Sequence, residues 1–220
     1  MRPDRGTVPR ADPGARASRS RAAILRAAER AFSSHGFAAA RTGAIAADAG
    51  VNKALLYYYF KSKEDLYVSV LAEEFGDFNS RAVAILTAPG SPRAILLRFL
   101  VLQFDAISRR PGFARMHLQT LLGAKRSFLE FVRARGGSRN RALLGLLRRG
   151  VREGEFRRVD PVHAAVSISG LILFYFGIAP VIEALDGRRV FSPSNLRARR
   201  REVLDLVRFG LFANPSASCP

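Results

Sequence analysis

The chain has 220 residues, with 36 Lys or Arg against 18 Asp or Glu, a formal net charge of +18, and 48% hydrophobic content. Apolar content is ample for a core, and the basic excess favours a polyanionic partner, nucleic acid or an anionic surface. The single cysteine, Cys219, excludes an intrachain disulfide and a cysteine-based metal site, and a reducing cytoplasm is its natural setting.

Residues 1–18 are rich in Arg, Pro, Gly and Ala and have no apolar periodicity. They lack the apolar stretch of a secretory signal and read as a disordered basic arm, either a loose tail or an arm that tracks phosphates. A first helix is expected to start near Ser18 or Ser20. Its stripe of Ile24, Leu25, Ala28 and Phe32 is spaced to pack against Ile45, Val51, Leu56 and Phe60. His35-Gly36 ends it, where a histidine suits the negative helix end. The stretch Thr42 to Lys63, TGAIAADAGVNKALLYYYFKSK, then holds two brief helix patterns around Gly50-Val51. Gly50 can take the positive φ that redirects the chain, and Thr42 and Asn52 are residue types that cap helix starts. Two short helices around a glycine turn form a helix-turn-helix, whose second helix can enter the DNA major groove. That helix carries Lys53, Tyr57, Tyr58 and Tyr59, with Lys61 and Lys63 just beyond. Donors for phosphates and base edges are thus gathered on one small element.

The phrase GVNKALLYYYFKSKEDL resembles the signature of TetR-type bacterial transcriptional regulators, roughly G-V-x-x-x-T-L-Y-x-H-F-x-x-K-x-x-L. Gly50, Val51, Leu56, Tyr57, Phe60, Lys63 and Leu66 fall on its positions. Upstream, ERAFSSHGFAAART is similar to the family's first helix and its Gly-Phe turn. The resemblance runs from about Arg19 to Leu71, with a weaker trace in EGEFRRVDP at Glu153 to Pro161. Leu55 stands where the family usually has Thr or Ser, and Tyr59 where it usually has His. The resemblance implies an all-α protein: a helix-turn-helix head over 19–66, a helical regulatory and dimerisation body over 67–213, and a short disordered tail at 214–220. It implies ligand-responsive control of transcription, with repression of a pseudo-palindromic operator as the leading reading and a small lipophilic effector. An activator or a global nucleoid-associated protein is the alternative within the class. Lys53 and Tyr58 are then expected at base edges, and Thr42, Tyr57, Tyr59, Lys61 and Lys63 at phosphates, with Asn52 at the start of the reading helix. A homodimer is expected through 160–184 and 194–213, paired with their copies as four helices. No cofactor is expected, and the setting is the bacterial cytoplasm.

Ser62-Lys63-Glu64-Asp65 is a capping start for a long helix through Leu66, Val70, Leu71, Phe75, Phe78, Val83 and Leu86, broken at Ala88-Pro89-Gly90. It is the only element continuous with both parts and is expected to carry the switching movement. Ser91-Pro92, Asp160-Pro161 and Ser192-Pro193 each pair a cap with proline at the first helical position. Helices are predicted at 92–109, 111–122, 126–152, 161–184 and 194–213, the third kinked or interrupted at Gly136-Gly137-Ser138. No run of alternating β-branched residues makes a convincing strand. Ala164 to Ile182 holds no charged residue and is about the length of a membrane span, which would make this a membrane-associated helical protein. Its Ser167, Ser169, Gly170, Gly177 and Pro180, and its flanks Asp160 and Glu183, favour a helix buried on all sides. In the last helix, Leu196, Val203, Leu204, Val207 and Leu211 form the seam expected at the dimer interface.

Enzymatic readings find no support. His35, His117 and His163 lie far apart, no H-E-x-x-H, glycine-rich phosphate loop or G-x-S-x-G elbow occurs, and no catalytic residue or metal ligand is assigned. Phe99, Phe104, Met116, His117, Phe128, Phe131, Phe174 and Tyr175 are the candidate lining of a largely apolar effector cavity, or else ordinary core.

Overall fold

A computed structural model describes residues 13–123 and 126–214. They form ten helices, α1 (Pro13–Ala39), α2 (Thr42–Asp48), α3 (Lys53–Tyr59), α4 (Lys63–Leu86), α5 (Pro92–Ser108), α6 (Pro111–Gly123), α7 (Arg126–Arg152), α8 (Pro161–Gly177), α9 (Ala179–Asp186) and α10 (Pro193–Leu211). The all-α expectation holds. Among the described residues the only strand-like pairing is a single bridge between Phe156 and Phe212. The fold divides into two units, one running to Val70 and the other starting at Leu71, a division that falls within α4.

In the first unit, α1 begins at Pro13, earlier than expected, so the second part of the proposed arm is helical. Residues 1–12 of that arm, and 215–220 of the tail, lie outside the described residues. Gly36 takes φ 75 and breaks α1 where His35-Gly36 was expected to end it. The predicted stripe of Ile24, Leu25, Ala28 and Phe32 is buried, as are Ile45, Leu56 and Phe60, while Val51 is half-buried. Tyr67 closes this core, its ring edge-on to Phe32 at 4.8 Å and to Phe37 at 5.1 Å.

α4 starts where predicted, with the Asp65 amide donating to Ser62 Oγ at 3.0 Å. Asp160 accepts from the amides of Val162 and His163 at 2.8 and 2.9 Å, and Ser192 from that of Asn195 at 3.4 Å. At Ser91 the expected cap is replaced. The Ser91 hydroxyl donates to Glu155 Oε2 at 2.7 Å, and the same oxygen accepts from the Arg93 amide at 2.9 Å. The carboxylate thus caps α5, where negative charge suits the helix start.

Glu155 is delivered by a tight turn. Gly154 takes φ 71, and a Cβ on Gly150 would lie 2.2 Å from the Phe156 ring, so glycine is required at both. Phe156 stacks on Phe212 at 5.6 Å, the Ala213 amide donates to Glu155 O at 3.0 Å, and Arg93 Nη1 donates to Asn214 O at 2.9 Å. The start of α5, the end of α7 and the end of α10 are therefore clasped together.

Three expectations are corrected. α7 runs as unbroken helix through Gly136-Gly137-Ser138, because anchoring of its second half by buried Leu143, Leu146 and Leu147 outweighs the weak helix propensity of glycine. The predicted 161–184 helix is two helices, α8 and α9, bent by 63°. Ile178 leaves helical geometry, Pro180 restarts the helix, and Gly177 admits Leu118 so closely that a Cβ would sit 2.8 Å from its Cδ2. Among the described residues no single helix is long and apolar enough to cross a membrane; only this bent pair meets the requirement together. Third, Val203, Val207 and Leu211 are buried within their own chain. The apolar residues that α10 exposes are Leu206 and Phe209.

Candidate nucleic-acid interface

Two local devices fix the recognition helix. At the end of α2, Gly50 takes φ 68, its amide donates to Ala47 O at 3.1 Å, and the Val51 amide donates to Ala46 O at 3.0 Å. These paired bonds satisfy the last carbonyls and turn the chain. At the start of α3, Asn52 Oδ1 accepts from the Leu55 amide at 2.7 Å. Leu56 and Phe60 then point into the core, which leaves the opposite face to solvent. Tyr58 is 80% exposed and Tyr57 42%, and Lys53 is exposed beside them. An Arg30–Asp48 pair at 2.8 Å links α1 to the end of α2.

The predicted contacts differ in how freely they are held. Lys53 Nζ lies 5.9 Å from the Tyr57 ring centroid, over its face. Thr42 does not cap α2; its Oγ1 is 3.2 Å from Tyr57 Oη, and this bond tethers the tyrosine. Tyr59 is half-buried, edge-on to Tyr58 at 5.3 Å. The Lys61 side chain is exposed, and its backbone amide donates to Asp65 Oδ2 at 2.9 Å. Lys63 already has a structural engagement: Nζ donates to Ala38 O at 3.0 Å and lies 4.8 Å over Phe37. Two of its three ammonium hydrogens remain for other acceptors.

Arg41, Lys53 and Lys63, with Thr42, Gly43 and Tyr57, border an open groove of about 520 Å³ that no carboxylate lines among the described residues. Arg41 is a member that sequence reading missed. Its only local signal is its place immediately before Thr42. Such a groove can accept phosphate oxygens while α3 reaches base edges.

The second unit holds a partly open cavity of about 680 Å³. Phe99, His117 and Phe174 line it. Phe104 and Met116 do not; both are buried, Phe104 edge-on to Phe176 at 5.2 Å. Tyr175 also lies apart from the cavity, its Oη accepting from Asn195 Nδ2 at 2.8 Å and its ring under the Arg199 guanidinium at 4.4 Å. The side chains of Phe128 and Phe131 lie outside the described residues. The wall is far from uniformly apolar: Arg81, Arg109, Arg110 and Arg139 border it, as do Glu73, Asp77, Gln103 and Asn140. Burial lowers the pKa of Arg139, whose guanidinium stands 5.3 Å over Phe78. Burial, and secondarily the charge of Arg139, lowers that of His117 to about 4, so the imidazole is neutral at pH 7. A usable signal existed for Arg139. It sits four residues before buried Leu143, in register with Leu146, Leu147 and Gly150 on one helix face.

Residues 24–70 match the family of bacterial regulatory proteins of the tetR type, and residues 92–207 match a tetracycline repressor-like C-terminal domain. The transcriptional repressor NicS of Pseudomonas putida is 32% identical over 164 residues, covering 72% of this chain and 76% of that one. The transcriptional regulator RutR of Escherichia coli K12 is 28% identical over 195 residues, 87% and 92% of the two chains. The fold is shared with the regulator FadR of Bacillus subtilis, solved in complex with stearoyl-CoA, at a TM-score of 0.69, 22% identity and coverage of 84% and 96%. The matches extend through both units, and the chain belongs to the TetR family of bacterial regulatory proteins: it is a helix-turn-helix transcriptional regulator, not an enzyme.

Proposed function

We propose that the protein represses transcription by occupying a pseudo-palindromic operator as a homodimer in the bacterial cytoplasm, and that it leaves the operator when a small molecule enters the cavity of the second unit. The observation that carries the DNA side is α3. Its inner face is fixed by Leu56 and Phe60, while Lys53, Tyr57 and Tyr58 face solvent beside the cationic groove. Lys53 and Tyr58 then read base edges. Thr42, Tyr57, Tyr59, Lys61 and Lys63 hold phosphates, joined by Arg41. Asn52 acts by setting the start of α3.

The dimer reading keeps to residues 160–184 and 194–213 but changes the side chains involved. Val166, Phe174, Leu206 and Phe209 are each more than half exposed on α8 and α10, and a second copy would cover them. Such large apolar exposure on neighbouring helices marks an association surface. On the effector side, the ligand must bind the DNA-free conformation more tightly than the DNA-bound one, with a reciprocal coupling of about 1–3 kcal/mol. Contributions of α4 to the cavity (Glu73, Asp77, Phe78 and Arg81) make it the candidate carrier of that coupling.

Selection of bound DNA from a random pool tests the reading. The expected product is a two-fold symmetric sequence with half-site centres about one helical turn apart, or a multiple of that. Placing it across a promoter in a purified transcription assay should lower transcript yield. An asymmetric site, or no enrichment, would overturn the operator model.

A further inference from the structure

We infer that the cavity of the second unit takes an organic anion, a carboxylate or phosphate carried on an apolar body; this rests on reading that cavity as the effector site. Among the described residues four arginines border the space, against two carboxylates, Glu73 and Asp77. Both carboxylates stand on α4, and Asp77 lies 3.6 Å from Arg81 of the same helix. The stretch from α5 through α8 presents Arg109, Arg110 and Arg139 to the cavity and no carboxylate. Arginine's planar fork meets carboxylate and phosphate oxygens two at a time, and the Arg139 guanidinium stands 5.3 Å over the Phe78 ring.

The same walls carry the rest of the recognition. Phe99, Leu118, Leu143 and Leu173 offer contact to an apolar body. Gln103 is only 9% exposed, lines the cavity, and its Oε1 accepts no hydrogen bond among the described residues, which marks the space as shaped for polar atoms too. His117, neutral at pH 7, adds hydrogen-bonding capacity without adding charge. Charge-assisted bonds strengthen where burial lowers the local dielectric, as it does around Arg139. A neutral or cationic guest of the same shape would gain none of them.

Titration calorimetry of the full chain with decanoate, decanamide and decylammonium tests this, because the three share one alkyl chain and differ in the charge of the head. Decanoate should bind at least ten-fold more tightly than decanamide, and decylammonium should not bind. Arg139→Gln should lower decanoate affinity at least ten-fold and so remove that preference. Arg109→Gln, at the exposed end of α5, should reduce the preference in a protein that melts like the wild type, which keeps the test decisive if Arg139→Gln does not fold. Equal binding of decanoate and decanamide, or tighter binding of decylammonium, overturns the anion assignment and leaves the cavity as an effector site. Failure of all three to bind overturns both.

Discussion

Around α3, Arg41, Lys53 and Lys63 border an open groove, whereas Arg139 and its neighbouring arginines border a cavity whose walls include buried Phe99 and Leu143. The same residue class does different physical work in the two places. Cations in the open groove keep their water and counterions and release them to a polyanion, so affinity there falls with salt. Arg139 in the cavity loses water when the chain folds, which depresses its pKa and, through burial and that charge, the pKa of His117. A guest of opposite charge that binds the folded protein there adds to its stability by mass action.

The strongest way to break this contrast is to place a new cation in each setting on a single helix. Val207→Arg puts a guanidinium into the core of α10 and should cost about 3–5 kcal/mol, enough to unfold the second unit in a circular-dichroism melt. Phe209→Arg, two residues on and 68% exposed, should keep its melting curve and sediment as a monomer. A folded, dimeric Val207→Arg protein would contradict the burial described for α10. Next in size, Lys53→Ala should cost about 1–3 kcal/mol of discrimination at one position per half-site. Lys63→Ala should instead weaken binding to every sequence and reduce the salt slope by about one. Footprinting on operator variants separates these two outcomes, and unchanged isotherms in both would remove the groove from the interface.

The smallest effect is a pH dependence. The folded pKa of His117, about 4, lies below its ordinary 6.5, so the unfolded chain binds the extra proton first. The contribution of the neutral imidazole is present above about 6.5 and is lost as pH falls toward 4. His117→Gln should flatten the decline of melting temperature between those limits; an unchanged slope would argue that this histidine is not buried as described.

Sequence reading succeeded at several places where a signal and its target lie within a few residues. Ser62 announces α4, Asp160 and Ser192 announce α8 and α10, and Gly50 with Asn52 frames α3, because each is a side chain or φ angle acting on an amide nearby. It failed where the partner is remote. The apolar period of Val203, Val207 and Leu211 says that something covers them, but not whether that cover is the same chain or a second copy. Aromatic residues behave alike: Phe174 and Tyr175 are adjacent, yet only Phe174 reaches the cavity, since successive helical positions point about 100° apart. Gly177 and Pro180 marked the break between α8 and α9, but a polar interruption inside an apolar run reads equally as a buried helix.

The clasp at Glu155 bears on the order in which the protein can be completed during synthesis. The carboxylate that caps α5 is supplied 62 residues downstream of Arg93, and the last acceptor of that arginine, Asn214 O, 121 residues downstream. An α5 emerging from the ribosome therefore begins with open amides. Its start is finished only after the end of α10 has left the exit tunnel and folded back, so the second unit matures as a whole and late, while the caps of α2 and α3 close within the span of a few residues.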